Sequence, residues 1–514
     1  MLDPHLDITA SLPAWNRLNN VDLIDVIPKE IPQSGFGFVA DRALSRAEAT
    51  LDSPALARIP RGLVLSKEAV DDHAKVDGHF RVLLDAVGRK STRGDACLFL
   101  LVQKILAAHP QSGVVSTPWT EYVRFLPREV PVPTMWSEQE REFLQGTSLE
   151  LAVSAKIQAL TNEFEDLREK SSDIPFWNAI FWDNNNVSLT DWFLVDAWYR
   201  SRSLELPSAG VSMVPVLDLA NHAPTPNAYY EESARREGDV ELLLRPGSTL
   251  AAGDEVTISY GAGKSGAEML FSYGFIDPAR STDTVALPLA PLEDDPLGKA
   301  KVHSFGGPRT VELTRTSGGA VAWQSPFAWL ACLNEEDGLA FAILQDVGGG
   351  RDLGVFWQDS DVTARADDWE TLVRDHPQYK IFRLRVVAVL EDRVASQLER
   401  MQTMEVDPRD APLGESHIIH TGCLDAATTL REQEASVLQA AARALEAERG
   451  DLLADDSSGE GICAVASGMT ISAWVLESHD ASRIGWKLHW RDVNGDWGHL
   501  AALLPFNHHC LGAA

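Results

Sequence analysis

Two tyrosine–glycine pairs, Tyr260-Gly261 and Tyr273-Gly274, lie thirteen residues apart and downstream of the pair Asn221-His222. This spacing constrains the chain more than any other feature. The pieces read Val214-Pro215-Val216-Leu217-Asp218-Leu219-Ala220-Asn221-His222, then Gly253-Asp254-Glu255-Val256-Thr257-Ile258-Ser259-Tyr260-Gly261, then Glu268-Met269-Leu270-Phe271-Ser272-Tyr273-Gly274-Phe275. In the middle piece Val256, Ile258 and Tyr260 alternate with Thr257 and Ser259, the pattern of a half-buried strand. Val240 to Leu244 is a second strand candidate, with Gly238-Asp239 and Pro246-Gly247 as turns beside it.

The pattern upstream is different. Residues 72 to 200 read as largely helical. Leu149, Val153, Ile157, Leu160, Phe164 and Leu167 recur at spacings of three and four, which puts them on one helix face. Helical stripes return downstream in Val387, Leu390, Val394, Leu398 and Met401, and again in Leu438, Ala441 and Leu445, where Gly450 could end the helix. Near the N-terminus the run Val21 to Ile27 is followed by Ser34-Gly35-Phe36-Gly37-Phe38-Val39-Ala40 and by Ile59-Pro60-Arg61-Gly62-Leu63-Val64-Leu65-Ser66. Residues 43 to 58 are expected to be an inserted loop. Residues 451 to 514 match no recognisable pattern. They are rich in tryptophan, and a disordered or lineage-specific tail of unknown structure is expected there.

Bulk properties narrow the function. The chain has 514 residues and is 45% hydrophobic, enough for several domains with sizeable cores. No apolar run approaches the roughly 18 residues that cross a bilayer. The start Met1-Leu2-Asp3-Pro4-His5 lacks a basic-then-apolar signal, so a cytosolic or nuclear protein is expected. The five cysteines are scattered, with no CxxC pair, so neither a disulfide framework nor a structural zinc cluster is expected, and no metal. The formal charge of −30 would repel phosphate backbones and attract a basic protein segment. Binding to nucleic acid or membrane is not expected, and a monomer is.

The motifs, in this order, resemble the core of a SET-domain methyltransferase, specifically the branch typified by the Rubisco large-subunit lysine methyltransferases. The resemblance covers roughly residues 30 to 450 and is densest in 200 to 278. It implies an α+β protein: a mainly-β SET fold divided by a helical insert, then an all-helical substrate-binding domain. The corresponding boundaries are residues 1–71 and 204–284 for the two parts of the SET core, 72–203 for the insert, 285–450 for the helical domain and 451–514 for the tail. Residues 302 to 368 fit the helical domain less well. The implied reaction is methylation of a protein lysine by S-adenosyl-L-methionine, on a non-histone substrate.

That chemistry explains the residue types. An in-line displacement needs a neutral amine, yet lysine arrives protonated at an unperturbed pKa near ~10.4. Burial beside a positive cofactor would lower that value, and positioning of the reactants would supply much of the acceleration. The resemblance makes Tyr260 the central catalytic residue, its phenol orienting the attacking nitrogen. Asn221 and His222 would hold the cofactor, with Ser34, Gly35 and Phe36 against it on a glycine-bearing turn. Arg202, in Arg200-Ser201-Arg202-Ser203, would meet its carboxylate, a geometry suited to a guanidinium. Asp218, Tyr273 and Phe275 would contact the substrate, the last two lining the lysine channel. The tryptophans and tyrosines near residues 119 to 136 read as core. Ser34 stands where relatives often carry an acid, and Gly266 where they usually carry asparagine.

Two further patterns fail on context. Gly35-Phe36-Gly37-Phe38-Val39-Ala40 fits a loose dinucleotide fingerprint but lacks the strand before it and the acid after it. Gly261-Ala262-Gly263-Lys264-Ser265 lacks the first glycine of a phosphate loop. At the tail, His508, His509 and Cys510 lack a second ligand pair. Two rival functions stay open: a histidine acceptor, or a non-catalytic binding module built on a SET core.

Overall fold

The computed structural model describes residues 7–454 apart from 33, 48–54, 111–112, 184, 234–235, 237, 262, 278–283, 293–294, 317, 346–350 and 403–419. Beyond 454 it describes only the strand backbones of 470–480, 483–491 and 497–503. The chain divides into two compact units, one of residues 1–285 with 399–436, the other of 286–398 with 437–514. The segment 285–450, expected as one domain, is shared between the units.

In the first unit, short antiparallel sheets carry the site. One has four strands in the order Asp22–Leu23, Ala55–Ile59, Val240–Leu244, Ala228–Glu232. A second pairs Val26–Ile31 with Gly35–Ala40, and Gly35–Ala40 with Glu255–Val256. Ser203–Leu206 and Gly210–Met213 form a hairpin. The segment expected as an inserted loop thus contains an internal strand of the largest of these sheets. Leu56, Ala57 and Ile59 are fully buried. The small, mixed run Ala55-Leu56-Ala57-Arg58-Ile59 carries little β propensity of its own, so tertiary pairing decides its conformation.

The strand expected to run through Tyr260 stops early. Only Glu255 and Val256 pair in the ladder. Thereafter the backbone bonds with the 221–228 segment: Thr257 N–H donates to Asn227 Oδ1 at 2.9 Å, Ile258 N–H to Asn221 O at 2.9 Å, and Ala223 N–H to Ile258 O at 3.1 Å. Ile258 and His222 form an isolated parallel bridge. This crossing brings the Asn-His pair beside Tyr260.

The insert is helical as expected, from Lys67–Val76 through Leu189–Arg202. Its longest helix, Leu149–Ser172, buries Leu149, Val153, Leu160 and Leu167. The last helix, Leu189–Arg202, starts in a Ser188/Asp191 capping box and delivers Arg200 and Arg202 at its C-terminus, where cations suit the helix dipole. The helix interior is tied by Asp196, fully buried and within 2.8, 2.9 and 3.3 Å of Arg93, Lys156 and Arg200.

The helical C-terminal region is present in Tyr379–Gln402 and Thr421–Ala454. It is preceded by strands that an all-helical reading omits: a sheet of Thr284–Pro288, Thr310–Arg315 and Val321–Gln324, and a second of Leu339–Gln345, Arg351–Trp357 and Ser360–Asp361. Their alternating burial, such as that of Val311 and Leu313, is the period-two signal of a half-exposed sheet. Gly450 does not cap the last helix, which continues to Ala454. At that exposed position glycine costs only about 1 kcal/mol against alanine. In the tail the three strands 470–480, 483–491 and 497–503 pair as an antiparallel meander. The residues His508, His509 and Cys510 lie outside the described residues. Cys97, Cys332 and Cys423 are buried and unpaired, and no described helix is long and apolar enough to cross a membrane.

Candidate active site

The apolar segment 214–219 enters the site under strain. Val216 adopts φ 73°, ψ −47°, a conformation that costs a β-branched residue roughly 1–3 kcal/mol. Tyr122 of the insert holds it there: its hydroxyl accepts the Val216 N–H at 2.7 Å and donates to Asp218 Oδ1 in a short hydrogen bond. The other Asp218 oxygen meets Arg202 Nη1 at 3.1 Å, and the same nitrogen donates to the Asp218 carbonyl at 3.0 Å. The Asp218 side chain is 1% exposed. Burial pushes its carboxyl above the usual range, against the pull of Arg202 and Tyr122. Burial also raises the Tyr122 phenol, beside the Asp218 carboxylate. Asp218, expected to contact substrate, lies on the cavity lining described below and has Tyr122 and Arg202 as its side-chain partners.

Tyr260 sits at the centre. Its backbone N–H donates to His222 Nδ1 at 3.1 Å, and its hydroxyl donates to the Ala220 carbonyl at 2.9 Å. Burial of the phenol raises its pKa well above the ordinary tyrosine value, although Arg202 opposes this, so it is neutral at physiological pH, and with its proton given to the Ala220 carbonyl its oxygen faces other groups as an acceptor. Tyr273 ends the helix Gly266–Tyr273, which starts in a Ser265/Glu268 capping box and stops at Gly274 with φ 85°. That box caps the helix without the asparagine absent at Gly266. Tyr273 lies 4.5 Å from the Tyr260 ring by centroids, and Phe275 is 6.2 to 6.4 Å from the rings of His222, Tyr260 and Tyr273. Arg200 secures this helix to the insert, donating to the Phe271 carbonyl at 2.6 Å.

A cavity of about 320 Å³ opens among these groups, with Arg202, Asp218, Tyr230, Tyr260, Lys264 and Tyr273 on its wall. That volume is at the lower end for small-molecule sites. Arg202 Nε is buried without a hydrogen-bond partner among the described residues. A buried donor left unsatisfied costs roughly 1–3 kcal/mol, and a guanidinium on the cavity wall suits an anionic group.

The remaining expected contacts form a rim. Ser34, Gly35 and Phe36 lie on the hairpin that pairs Ile31 with Gly35, and Gly35 has φ 75°. Ser34 is exposed. These three, with Asn221, His222 and Phe275, are not on the cavity wall. The hairpin nonetheless touches Asn221: a Cβ on Gly37 would lie 2.6 Å from Asn221 Nδ2. That amide donates to Glu255 Oε1 at 2.9 Å. Residues not singled out as site contacts include Tyr122, expected in the core of the insert, and Lys264, which falls in an incomplete phosphate-loop pattern and just before Gly266. Nothing local marks Tyr122, since its partner Asp218 is 96 residues away.

Elsewhere, Glu140, His420 and Cys423 bring metal-ligating atoms within 4.8 Å of one another. The Glu140 carboxylate already accepts from the His420 N–H, and from the N–H and hydroxyl of Ser137, and it meets His420 Nδ1 at 2.9 Å. With four partners this is a helix-capping carboxylate.

No protein-family model matches the chain. It is 32% identical over 276 residues to the SET domain-containing protein 8 of Schizosaccharomyces pombe, covering 53% of this chain and 61% of that protein. It is 27% identical over 292 residues to the ribulose-1,5-bisphosphate carboxylase/oxygenase large subunit N-methyltransferase of Nicotiana tabacum, 52% of this chain and 51% of that one. It is 26% identical over 275 residues to the [fructose-bisphosphate aldolase]-lysine N-methyltransferase of Arabidopsis thaliana, covering 52% of each. The chain thus spans between half and about three fifths of the length of these relatives. Among solved structures, the SET domain of LSMT bound to lysine and AdoHcy superposes with a TM-score of 0.62 at 22% identity, over 88% of this chain and 93% of that one. Rubisco LSMT bound to AdoMet superposes with a TM-score of 0.62 at 21% identity, over 89% and 97%. At these identities the structural likeness speaks to the fold.

Proposed function

We propose that this chain, a SET-fold protein similar to the Rubisco large-subunit methyltransferases, transfers a methyl group from S-adenosyl-L-methionine to a lysine nitrogen in a non-histone protein. One observation carries the reading: a single cavity has Tyr260, whose phenol is neutral, and Arg202, whose buried Nε has no hydrogen-bond partner among the described residues, on its wall. The first offers an oxygen that can accept the N–H of a neutral attacking amine, the second a partner for a carboxylate. The relatives named for lysine N-methylation, and the neighbours solved with AdoMet or lysine, support the same choice.

The roles follow from the geometry. Bound there, the cofactor would supply a methyl group on a sulfonium. Arg202 would pair with its carboxylate, while Asn221 and His222, braced by the Ile258 bridge and by Glu255, would hold it with the Ser34-Gly35-Phe36 turn. Tyr260 would orient the attacking nitrogen. Tyr273 and Phe275 would wall the channel. Asp218 would act at one remove, by fixing Arg202. The formal charge of −30 suits a basic lysine-containing segment. A monomeric protein of the cytosol or nucleus belongs to the same proposal.

The test is incubation of the full chain with labelled S-adenosylmethionine and a cell lysate, followed by mass spectrometry of the labelled proteins. Label on lysine, lost in Tyr260→Phe, is the expected result. Label on histidine would replace the acceptor. Absence of S-adenosylmethionine binding by calorimetry would leave a non-catalytic module.

A further inference from the structure

Lys264 is bound into the site by three features. Its ammonium donates to the Tyr273 hydroxyl at 2.6 Å and to the Tyr260 carbonyl at 2.8 Å. Its aliphatic chain lies across Gly261, where a Cβ would be 3.1 to 3.2 Å from Lys264 Cγ, Cδ and Cε, and where φ is 136°. It is also on the cavity wall. A lysine can only donate, so the Tyr273 oxygen must accept from it. The Tyr273 proton then points to the same Tyr260 carbonyl, 3.2 Å away. The phenol is left with one lone pair for whatever enters the cavity.

From this geometry we infer that Lys264 is a positioning residue of the acceptor channel. It fixes the Tyr273 hydroxyl as an acceptor and places a positive charge where it favours the neutral form of an entering amine. The inference rests on the methyltransfer reading and deepens it. The other titratable groups on the wall do not duplicate this role. Arg202 and Asp218 face each other, Tyr260 donates to the Ala220 carbonyl, Glu205 is exposed on the hairpin strand, and Tyr230 is a phenol whose pKa burial raises. A like charge nearby disfavours protonation of an amine. The incoming lysine would therefore lose its proton on binding.

The test uses the full chain with S-adenosylhomocysteine and Nα-acetyl-L-lysine amide, whose one titratable amine is the side chain. Calorimetry at pH 8 in buffers of different ionisation heat counts protons released on binding. The wild-type chain is expected to release about one, since the free amine is almost fully protonated at that pH. Lys264→Met should release less than half as many, and Lys264→Arg should restore the release. In turnover, Lys264→Met should move the acid limb of the kcat profile up by about one pH unit, lowering kcat about tenfold below it, without raising KM. Gly261→Ala, which displaces the lysine chain without removing its charge, is a second probe should Lys264→Met not fold, and should give a partial version of the same shift. Unchanged proton release and pH limb, with kcat and KM altered together, would overturn the inference and leave Lys264 a structural residue. Failure of the wild-type chain to bind the amide at all would instead sink the methyltransfer reading, and this inference with it.

Discussion

The floor of the site and its rim are built by opposite means. On the floor, Tyr122, Asp218, Arg202, Tyr260, Lys264 and Tyr273 are linked by hydrogen bonds that join the insert, the 214–222 segment and the helix at 266–273. On the rim, Ser34, Gly35 and Phe36 depend on one hairpin and one positive-φ glycine. A networked floor keeps its groups at fixed distances, as a reacting centre needs. A rim made of backbone can cradle a ligand through N–H and C=O groups, whatever the side chains. Substitutions should therefore be severe on the floor and mild on the rim.

The largest expected effect is at Tyr260. Tyr260→Phe removes one hydrogen-bonding hydroxyl from the reacting centre and should lower methyl transfer by about 10²–10³-fold, with S-adenosylmethionine affinity changed less than about threefold. Radiolabel transfer and calorimetry on one preparation check both numbers. Equal loss in both would make Tyr260 part of the cofactor site. Next comes Arg202→Met, which leaves the Asp218 carboxylate buried beside an apolar chain. Breaking a buried pair from one side costs about 3 kcal/mol or more, so urea unfolding should show that loss together with weakened cofactor binding. A variant as stable as wild type would mean that Asp218 is not held by this arginine, and the floor would be less networked than its distances indicate.

What was legible in the sequence follows the same division. The backbone around the expected rim and the motif tyrosines is legible because its causes are local: a glycine at a turn, a Tyr-Gly after a strand, an Asn-His after an apolar run. The long insert helix was legible from its three-four spacing. Three things were not. The strand Ala55–Ile59 has a composition that fits a loop, and its two neighbouring strands decide its state. The crossing of Ile258 with His222 is a tertiary event, so the alternation of Val256, Ile258 and Tyr260 read as one continuous strand. The hydrogen bonds of Asp218 run to Tyr122 and Arg202 of the insert, so its sequence neighbours do not show them. Alternation likewise predicts sheets in 310–357, yet the helical stripes on the C-terminal side obscured them.

Tyr122→Phe tests whether the insert truly reaches the floor. It removes the hydroxyl that holds both the Val216 N–H and the Asp218 carboxylate. Two buried groups lose a partner, so a loss of about 2 kcal/mol in urea unfolding is expected, with a measurable fall in S-adenosylmethionine affinity through Arg202. A purely packing role would leave that affinity untouched. On the rim, Gly35→Ala should cost about 1 kcal/mol, because only the left-handed backbone opposes it: no heavy atom lies within 4 Å of the added Cβ.

The smallest effect is expected at Ser34. Its N–H donates to the Ile31 carbonyl at 3.1 Å, a bond that alanine retains, and the residue is exposed. Ser34→Ala should therefore change stability by less than about 0.5 kcal/mol and cofactor affinity by less than about twofold. The measurement matters because the resemblance places an acidic side chain at this position in many relatives. If backbone alone forms the rim, the identity of the side chain is irrelevant and the serine is tolerated. A tenfold loss of affinity in Ser34→Ala would show that the side chain itself touches the cofactor, and the contrast between a networked floor and a backbone rim would no longer hold.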